Sequence, residues 1–550
     1  MSSGALRGLL TAALADPFFS SMRAATGAIT HRVTGPPSIR PFVASTLACG
    51  FAQSDGGVPV LLVTATGREA EAAVAAIGDL IGDDNVALFP SWETLPHERL
   101  SPRADTVGRR LSTLRRIAHP EQHPAGYPAV VVATVRSVIQ PMAPHLGEMA
   151  PVTLRVSAES DLSALVEQLV TLAYTRVDMV EKRGEIAVRG GILDIFPPTN
   201  DHPARVEFFG DEITDIRTFG VTDQRSLSAI DEVIAPPCRE ILLTADVRAR
   251  AKTLSAQQTG DPTLAQMLDN LANGISVEGM ESLIPVLVGD ELDMLPNLVR
   301  KGTHFVLADP ERIRTRASDL VRTGNEFLNA SWMAAATGGR APIDLGSSAY
   351  RGLEETLDVV RDAELPIWRI APFDTGDAVA DGAAAVEGAQ PPVAAAPAYR
   401  GELAGAIDDA RARQLGGGST VLVVAGAGTA ARAGERLAES DIGVVVAGDG
   451  LAEAPRTEVV TVTCGRLENG FVLRDSGLAI LTEADLTGTR GVNPDAASTR
   501  MPTRRRNAVD PLSLKPGDYV VHAQHGIGKY IDLVQRTAGG ATREYLVVEY

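Results

Sequence analysis

The residues that could hold the phosphate groups of a nucleotide come first, because the 550-residue chain alternates strands and helices as nucleotide-binding folds do. A phosphate loop needs GxxxxGK[ST], in which backbone amides and a lysine surround the phosphates and a hydroxyl binds magnesium. No segment matches this pattern. Ahead of the strand VPVLLVT, where we place the loop, Val43–Gly50 offers Ser45, Thr46 and Gly50 but no lysine. The sequence predicts a degenerate, non-functional nucleotide site.

An acidic residue after a later strand is the second half of such a site. The strand HFVLAD ends in Asp309, which is followed by Pro310 and Glu311 and occupies the position of a magnesium-binding acid. Without a phosphate loop, this carboxylate has little to coordinate. We therefore expect no ATP hydrolysis by this part of the protein.

Other catalytic or metal-binding patterns are weak. The chain contains neither GxSxG nor HExxH, and His522 and His525 fall in a strand and turn, where we expect surface residues rather than metal ligands. The Gly426–Gly428 segment follows a strand and is half a dinucleotide fingerprint. A tight strand-to-helix turn is the favoured interpretation. The sequence therefore predicts no metal and no cofactor in this chain.

Composition indicates an ordinary multidomain protein. The length suggests three to five domains, while 51 basic and 69 acidic residues give a formal charge of -18, which argues against an extended nucleic-acid-binding surface. Cys49, Cys238 and Cys464 are scattered and odd in number, so neither a disulfide framework nor a zinc site is predicted. With no signal-peptide pattern and no apolar run of about 18 residues, we expect a cytoplasmic protein without membrane contact.

The elements that would position these residues alternate in an α/β pattern. Residues 1–150 and 234–371 carry continuous apolar strands such as VPVLLVT and AVVVAT between helical stretches, which indicates a parallel sheet buried on both faces. Residues 151–233 read as an α+β insert with antiparallel strands, and residues 399–490 as a second small α/β domain. The low-complexity segment 372–398 and the Pro-, Ser- and Arg-rich segment 491–510 are predicted linkers. Residues 511–550 form a short β-rich module.

Three stretches carry a family resemblance. Phe89–Ile117 and the long, specific Arg176–Phe219, with its core RGGILDIFP…RVEFFGDEI, resemble the excision-repair subunit UvrB and the bacterial transcription-repair coupling factors (the Mfd family). Leu514–Tyr550 resembles the polymerase-interacting module of the coupling factors and of the CarD family. UvrB accounts for only the first two and would require a phosphate loop, so the amino-terminal part of a coupling factor is the better match.

The resemblance implies that the insert binds UvrA. The implied contact residues, which lie at or near matching motif positions, are Arg176, Arg189, Phe196, Arg205 and Glu207. Arginine suits such a site because its planar guanidinium makes paired hydrogen bonds to carboxylates. From the residues alone, a solvated sheet face is the favoured interpretation of the alternating strands, and only the resemblance reverses it; Phe196 is either a core aromatic or an interface anchor.

For the terminal module, the resemblance implies an SH3/Tudor-like β-barrel, truncated here, that binds the β subunit of RNA polymerase. Glycines at turns between three β-rich runs fit a barrel. An exposed edge at Lys529–Val534, with Lys529, Ile531 and Leu533, would pair with a polymerase strand. The alternative is a purely structural barrel. For Arg504–Arg506, a solvated basic linker is favoured over contacts with DNA or polymerase.

The implied function is that of a scaffold in transcription-coupled repair, which recruits UvrA and docks on stalled RNA polymerase. In the intact family protein, motor domains beyond this chain bind ATP and magnesium and translocate along double-stranded DNA, displacing the polymerase. This chain itself is not expected to be an enzyme. The alternatives are a UvrB-type damage-recognition helicase and a CarD-like polymerase-binding regulator without a repair role.

Overall fold

The chain divides into two compact units, Met1–Asn493 and Pro494–Tyr550. The computed structural model describes residues 4–25, 29–51, 56–95, 100–257, 262–289, 292–336, 350–373, 392–448, 450–488, 519–522, 526–538 and 541–549. It contains several sheets, one of which has six parallel strands, so the predicted multidomain α/β class is confirmed. No helix in the described ranges combines the length and apolar character that a bilayer span requires.

The first part of the larger unit alternates helices with short strands. Its elements are α1 (Arg7–Ala15), α2 (Pro17–Ala24), β1 (Thr30–Thr34), α3 (Arg40–Ala48), β2 (Val60–Thr64), α4 (Gly67–Ile81), β3 (Val86–Phe89), α5 (Ala104–Ala118), β4 (Val130–Thr134) and α6 (Val135–Val138). The chain then enters a compact α+β region, which we call the insert (residues 152–235). It contains β5 (Val152–Arg155), α7 (Leu162–Thr171), β6 (Thr175–Arg176), β7 (Glu185–Arg189), β8 (Ile192–Ile195), β9 (Ala204–Phe209), β10 (Glu212–Phe219), β11 (Ser226–Ala229) and β12 (Glu232–Ala235).

After the insert the chain returns to the first sheet. The returning elements are α8 (Ala245–Gln257), α9 (Pro262–Ala272), α10 (Ile284–Val288), α11 (Leu295–Leu298), β13 (His304–Ala308), α12 (Pro310–Ala336), α13 (Leu353–Asp362) and β14 (Ile367–Ala371). All neighbouring strands in the order β1-β14-β13-β2-β4-β3 are parallel. Every residue of β2, β4 and β13 is buried, as the continuous apolar runs predicted, because helices cover both faces. We call this sheet with its helices the α/β block.

The insert sheet is mostly antiparallel. Its order is β11-β10-β9-β8-β7-β6, in which only the short edge strand β6 runs parallel to its neighbour. Where the chain enters and leaves, β5 and β12 pair antiparallel as a separate two-stranded ribbon. Leu165 and Leu169 of α7 pack on one face of the larger sheet, in a cluster with Leu193 and Val206. The other face of this sheet therefore points away from α7.

The insert is held against the α/β block by a buried ion pair. The guanidinium of Arg110 on α5 bonds the carboxylate of Glu240, and both side chains are fully buried. Trp92 donates a second hydrogen bond to Glu240 over 2.9 Å, and Arg110 also donates to the carbonyl of Pro90 over 2.9 Å. Because Glu240 lies just after β12, these bonds fix the point at which the chain leaves the insert.

A second small sheet packs against the α/β block within the larger unit. Its elements are β15 (Val393–Ala395), α14 (Leu403–Leu415), β16 (Ser419–Val424), α15 (Ala427–Ala438), β17 (Val444–Ala447), β18 (Val460–Cys464), β19 (Phe471–Leu473), β20 (Leu478–Thr482) and α16 (Glu483–Thr487). The order is β15-β19-β20-β16-β18-β17, parallel from β20 to β17. Strand β15 lies inside the predicted linker 372–398; residues 374–391 of that segment, and 491–510, lie outside the described residues.

The smaller unit contains three antiparallel strands. They are β21 (Tyr519–His522), β22 (Gly526–Ala538) and β23 (Ala541–Glu549), with β22 in the centre. Strand β21 pairs with residues 526–529 of β22, whereas β23 pairs along 529–538. The described residues thus form an open three-stranded sheet.

The buried ion pair gives a first prediction. Replacing Glu240 by Gln leaves the buried Arg110 cation without a counter-charge, which typically costs about 3–5 kcal/mol. We expect urea unfolding, followed by tryptophan fluorescence, to show this loss. The matched control is Glu232→Gln, because Glu232 pairs with Arg155 at the surface, where such pairs contribute about 0–1 kcal/mol. Equal stability of the two variants would contradict the role given to the Arg110–Glu240 pair.

A second prediction concerns pH. Burial, together with the nearby His31, lowers the pKa of His304 to about 4, and Trp368 Nε1 donates to His304 Nδ1 over 2.8 Å, which requires an unprotonated acceptor. The unfolded chain, with a histidine pKa of about 6.5, binds the extra proton first, so this residue's contribution to stability falls as the pH drops from about 6.5 to about 4. In thermal unfolding across this range, His304→Gln should lose less stability than the wild type. A parallel decline would contradict the prediction.

Candidate functional site

The outer face of the insert sheet is the candidate partner-binding surface. Along β9, Val206 and Phe208 belong to the core beneath α7, whereas Arg205, Glu207 and Phe209 alternate with them and point to the other side. Asp194, Asp215 and Arg217 lie beside Arg205 and Glu207 on neighbouring strands. We call this surface, from β7 to β10, the outer face.

Arg205 is already fully engaged within this face. Its Nε and Nη2 donate to the two carboxylate oxygens of Asp194 over 2.7 and 2.9 Å. The guanidinium also lies 4.7 Å from the ring centroid of Phe219, and the hydrogen bond to Asp194 raises the pKa of Arg205. A paired, stacked guanidinium organises the face but has few donors left for a partner.

Phe196 lies in the interior. Its side chain is 3% exposed and packs with Val180, Ala187 and Phe219 beneath the surface of the outer face. Arg183 covers the ring, with its guanidinium carbon 5.2 Å from the centroid. Of the two interpretations of Phe196, this geometry is that of a core aromatic which supports the sheet from inside.

Arg176 and Arg189 are exposed arginines of the insert, as is Arg217, which pairs with Asp215. Arg176 lies on the edge strand β6, and Arg189 ends β7, where its Nη2 donates to the backbone carbonyl of Asp178 over 2.6 Å. Glu207 on β9 is half-buried and pairs in register with Asp215 of β10. Arg176 is in register with Ile186, which packs beneath α7, so its side chain lies on the opposite side of the sheet from Arg189.

Phe209 is a surface residue that the sequence reasoning did not single out. It is 81% exposed at the tip of the β9–β10 hairpin, where Gly210 adopts a φ of 63°. A large aromatic exposed on a short, rigid turn is unusual unless it meets a partner. Period-2 alternation from Arg205 through Glu207 was the signal that could have placed Phe209 on this face.

The residues expected to contact polymerase differ in how their part of β22 is paired. Lys529 is exposed and lies between two strands, since it pairs with Tyr519 of β21 and Glu549 of β23. Ile531, which is 41% exposed, and Leu533 lie in the part of β22 that β21 does not reach. In the described sheet, β21 and β23 are the outer strands, and this later part of β22 is open on the side that β21 does not reach, whereas Lys529 is paired on both sides.

The predicted phosphate-loop position differs from the one that the topology gives. Ser45 and Thr46 lie inside helix α3, fully buried, and Gly50 follows that helix, all before strand β2. A phosphate loop follows a strand and opens a helix, which here means the β2–α4 turn, Ala65 and Thr66. The sequence there reads TATGRE, so it also lacks the lysine. Asp309, at the end of the adjacent strand β13, does face this turn and pairs with Arg40 over 3.0 Å.

The remaining candidates give no site in the described residues. Gly426 caps the start of α15 in a strand-to-helix turn, and His522 ends β21, while His525 and Arg504–Arg506 lie outside the described residues. Within the described part of the chain, no group of three or more metal-binding side chains converges.

Comparison with known proteins assigns two segments. Residues 152–240 match the UvrB interaction domain, and residues 514–550 match the CarD-like/TRCF RID domain. The first match covers the insert and reaches Glu240.

Full-length comparison finds proteins named transcription-repair-coupling factor. The chain is 47% identical to that of Mycobacterium bovis over 99% of its own length and 44% of the relative's. The corresponding values are 27%, 92% and 42% for Escherichia coli, and 24%, 90% and 41% for Bacillus subtilis. The chain thus spans less than half the length of these relatives.

Proposed function

We propose that this chain, which is homologous over nearly its whole length to the transcription-repair-coupling factors, acts in transcription-coupled DNA repair as the part that joins RNA polymerase to the excision machinery. The observation that carries the proposal is the presence, in one chain, of a UvrB interaction domain and a CarD-like domain. Neither a polymerase regulator without a repair role nor a UvrB-type helicase accounts for both.

The insert would recruit UvrA through its outer face. Arg189 on this face and Arg176 at the neighbouring β6 edge supply charge, Glu207 supplies a carboxylate, and Phe209 supplies an apolar anchor. Arg205 and Phe196 act indirectly in this proposal, because one is locked to Asp194 and the other is buried. Such a division is common in protein interfaces, where a few aromatic and arginine residues contribute most of the binding energy.

The smaller unit would dock on the β subunit of RNA polymerase by adding a polymerase strand to its sheet. The edge of β22 beyond Lys529, with Ile531 and Leu533, has backbone groups available for this pairing among the described residues. We propose that residues 511–550 belong to an SH3/Tudor-like barrel.

The intact protein would be an ATP-dependent translocase on double-stranded DNA, working in the cytoplasm to displace stalled polymerase. ATP and magnesium would bind in motor domains other than the regions described here. The block at 1–150 and 234–371, the insert at 151–233 and the small domain at 399–490 would serve as scaffold, with linkers at 372–398 and 491–510. The lysine-free β2–α4 turn supports the absence of ATPase chemistry from this scaffold.

A binding experiment tests the UvrA face. Arg176→Glu combined with Arg189→Glu places two acids where the proposal needs two cations, so the affinity for UvrA should fall by about tenfold or more. Phe209→Ser should weaken binding separately by removing the anchor. Biolayer interferometry with immobilised UvrA measures both.

The matched control is Arg155→Glu, since Arg155 is an exposed arginine of the insert on the separate β5–β12 ribbon. Its affinity should equal that of the wild type. Full affinity of the folded Arg176/Arg189 variant would contradict the proposed face, whereas equal loss in the Arg155 variant would place the contact elsewhere on the insert.

A second experiment tests the polymerase edge. Leu533→Arg should reduce RNA polymerase binding about tenfold or more, while Val547→Arg on β23, which is exposed on the neighbouring strand, should leave it largely unchanged. Size-exclusion chromatography with core polymerase distinguishes the two. The opposite pattern would move the docking edge to β23, and binding by both variants would contradict strand addition at this sheet.

A further inference from the structure

A cavity of about 360 Å³ lies at the carboxyl ends of β2 and β13. Thr66 and Glu69 of the β2–α4 turn and first helical turn line it, together with Arg40 of α3 and Arg312 of α12. Strand β2 lies between β4 and β13, and the chain crosses from β4 on one side of β2 to β13 on the other. The order of the strands therefore changes direction at β2. In open α/β sheets, this is the position at which ligands bind.

The cavity is a candidate anion-binding site, because three helices direct positive charge towards it. Helix α4, which is 15 residues long, directs its amino terminus and the associated partial positive charge into it. Arg40 and Arg312 approach from two other helices. The Arg40 side chain is only 11% exposed, and its buried Nε has no hydrogen-bond partner in the described structure. Burial lowers the pKa of Arg40, against the raising effect of Asp309 and Glu69, so this cation depends on neighbouring anions.

The anion that fills this position belongs to the chain itself. Glu69 Oε2 accepts hydrogen bonds from the backbone nitrogen and the hydroxyl of Thr66, both over 3.1 Å. Glu69 Oε1 accepts from Arg312 Nη1 over 2.5 Å and lies 4.0 Å from Arg40 Nη1. One carboxylate thus bonds a backbone amide, a hydroxyl and a guanidinium, as a bound phosphate group would.

An ordinary helix cap explains only part of this arrangement. The bonds between Thr66 and Glu69 are those of a capping box, which many helices have. A capping box does not require arginines from two other helices, or a half-enclosed cavity in front of the helix. It also does not explain why Asp309, whose carboxylate pairs with Arg40 Nη2, adopts a φ of 73°.

We propose that Glu69 is the built-in occupant of an anion site, an internal substitute for a phosphate group. Its removal opens a site for inorganic phosphate or pyrophosphate between α4, Arg40 and Arg312. In the wild type, the carboxylate links α4 to α12 through Arg312 and lies near Arg40 of α3, so it holds these helices around the cavity without a nucleotide. This inference concerns the α/β block alone and does not depend on either docking proposal.

The test is the binding of pyrophosphate to the whole chain at matched ionic strength. Glu69→Ala should melt at a lower temperature than the wild type, and millimolar pyrophosphate should raise its melting temperature by about 2 °C or more. The wild type should not respond. Isothermal titration calorimetry should likewise detect pyrophosphate binding to Glu69→Ala only.

Two further variants separate this site from general effects of charge. Glu311→Ala removes a neighbouring carboxylate that pairs with Arg314 outside the cavity, so it should behave as the wild type. Glu69→Ala with Arg312→Met should lose the response, because the second cation is gone. Any phosphate site elsewhere in the protein is common to all variants and cancels.

The outcomes are distinct. A folded Glu69→Ala variant that does not bind pyrophosphate overturns the proposal, as does a wild type that binds it equally well. Should Glu69→Ala fail to fold, Glu69→Gln keeps an acceptor for Thr66 but loses the charge. Glu69→Gln should then bind pyrophosphate more tightly than the wild type does. Equal affinity of Glu69→Gln and the wild type for pyrophosphate overturns the proposal.

Discussion

The buried ion pair between Arg110 and Glu240 is the contact on which the arrangement of the larger unit depends. It joins α5 of the α/β block to the chain just after the insert, and neither side chain touches solvent. Gly108, two residues before Arg110 on α5, lets Pro198 of the insert approach so closely that a Cβ there would lie 2.4 Å from the Pro198 Cβ. Without this junction, the insert would be joined to the block by the two chain segments that enter and leave it. These contacts with α5 help to set its orientation relative to the block.

The small sheet is bound to the block by contacts at very long sequence separation. The backbone N–H of Gly8 donates to the carbonyl of Leu451 over 2.6 Å, and Arg466 donates to the carboxylates of Asp79 and Asp83 of the block. Phe19, Phe42 and Phe471 bring α2, α3 and β19 into one aromatic cluster. The amino-terminal helices therefore work as a packing layer between two sheets, which gives residues 392–488 a structural part in the unit.

The parallel strands and the alternating insert strands could be predicted from the sequence because their signals are local. A continuous apolar run such as that of β2 implies burial on both faces, and alternation along β9 separates Val206 from Arg205. The engagement of Arg205 by Asp194 could not be predicted, since it depends on strand register. The position of the phosphate-loop equivalent was missed for the same kind of reason: Val43–Gly50 reads like a glycine-ended loop, but tertiary packing makes it a helix.

Buried ion pairs are weak sources of net stability, because desolvation of both charges offsets most of their attraction and apolar side chains of similar volume often do as well. The fully buried pair between Arg110 and Glu240 therefore calls for a geometric reason. Arg110 with Glu240 joins α5 to the chain that leaves the insert, and the partly exposed contacts of Arg40 and Arg312 with Glu69 join α3, α12 and α4 around the cavity. Charged pairs specify one arrangement where apolar contacts tolerate several. A docking face that has to be presented in one orientation, independent of any bound nucleotide, is best served by fixed internal charges of this kind.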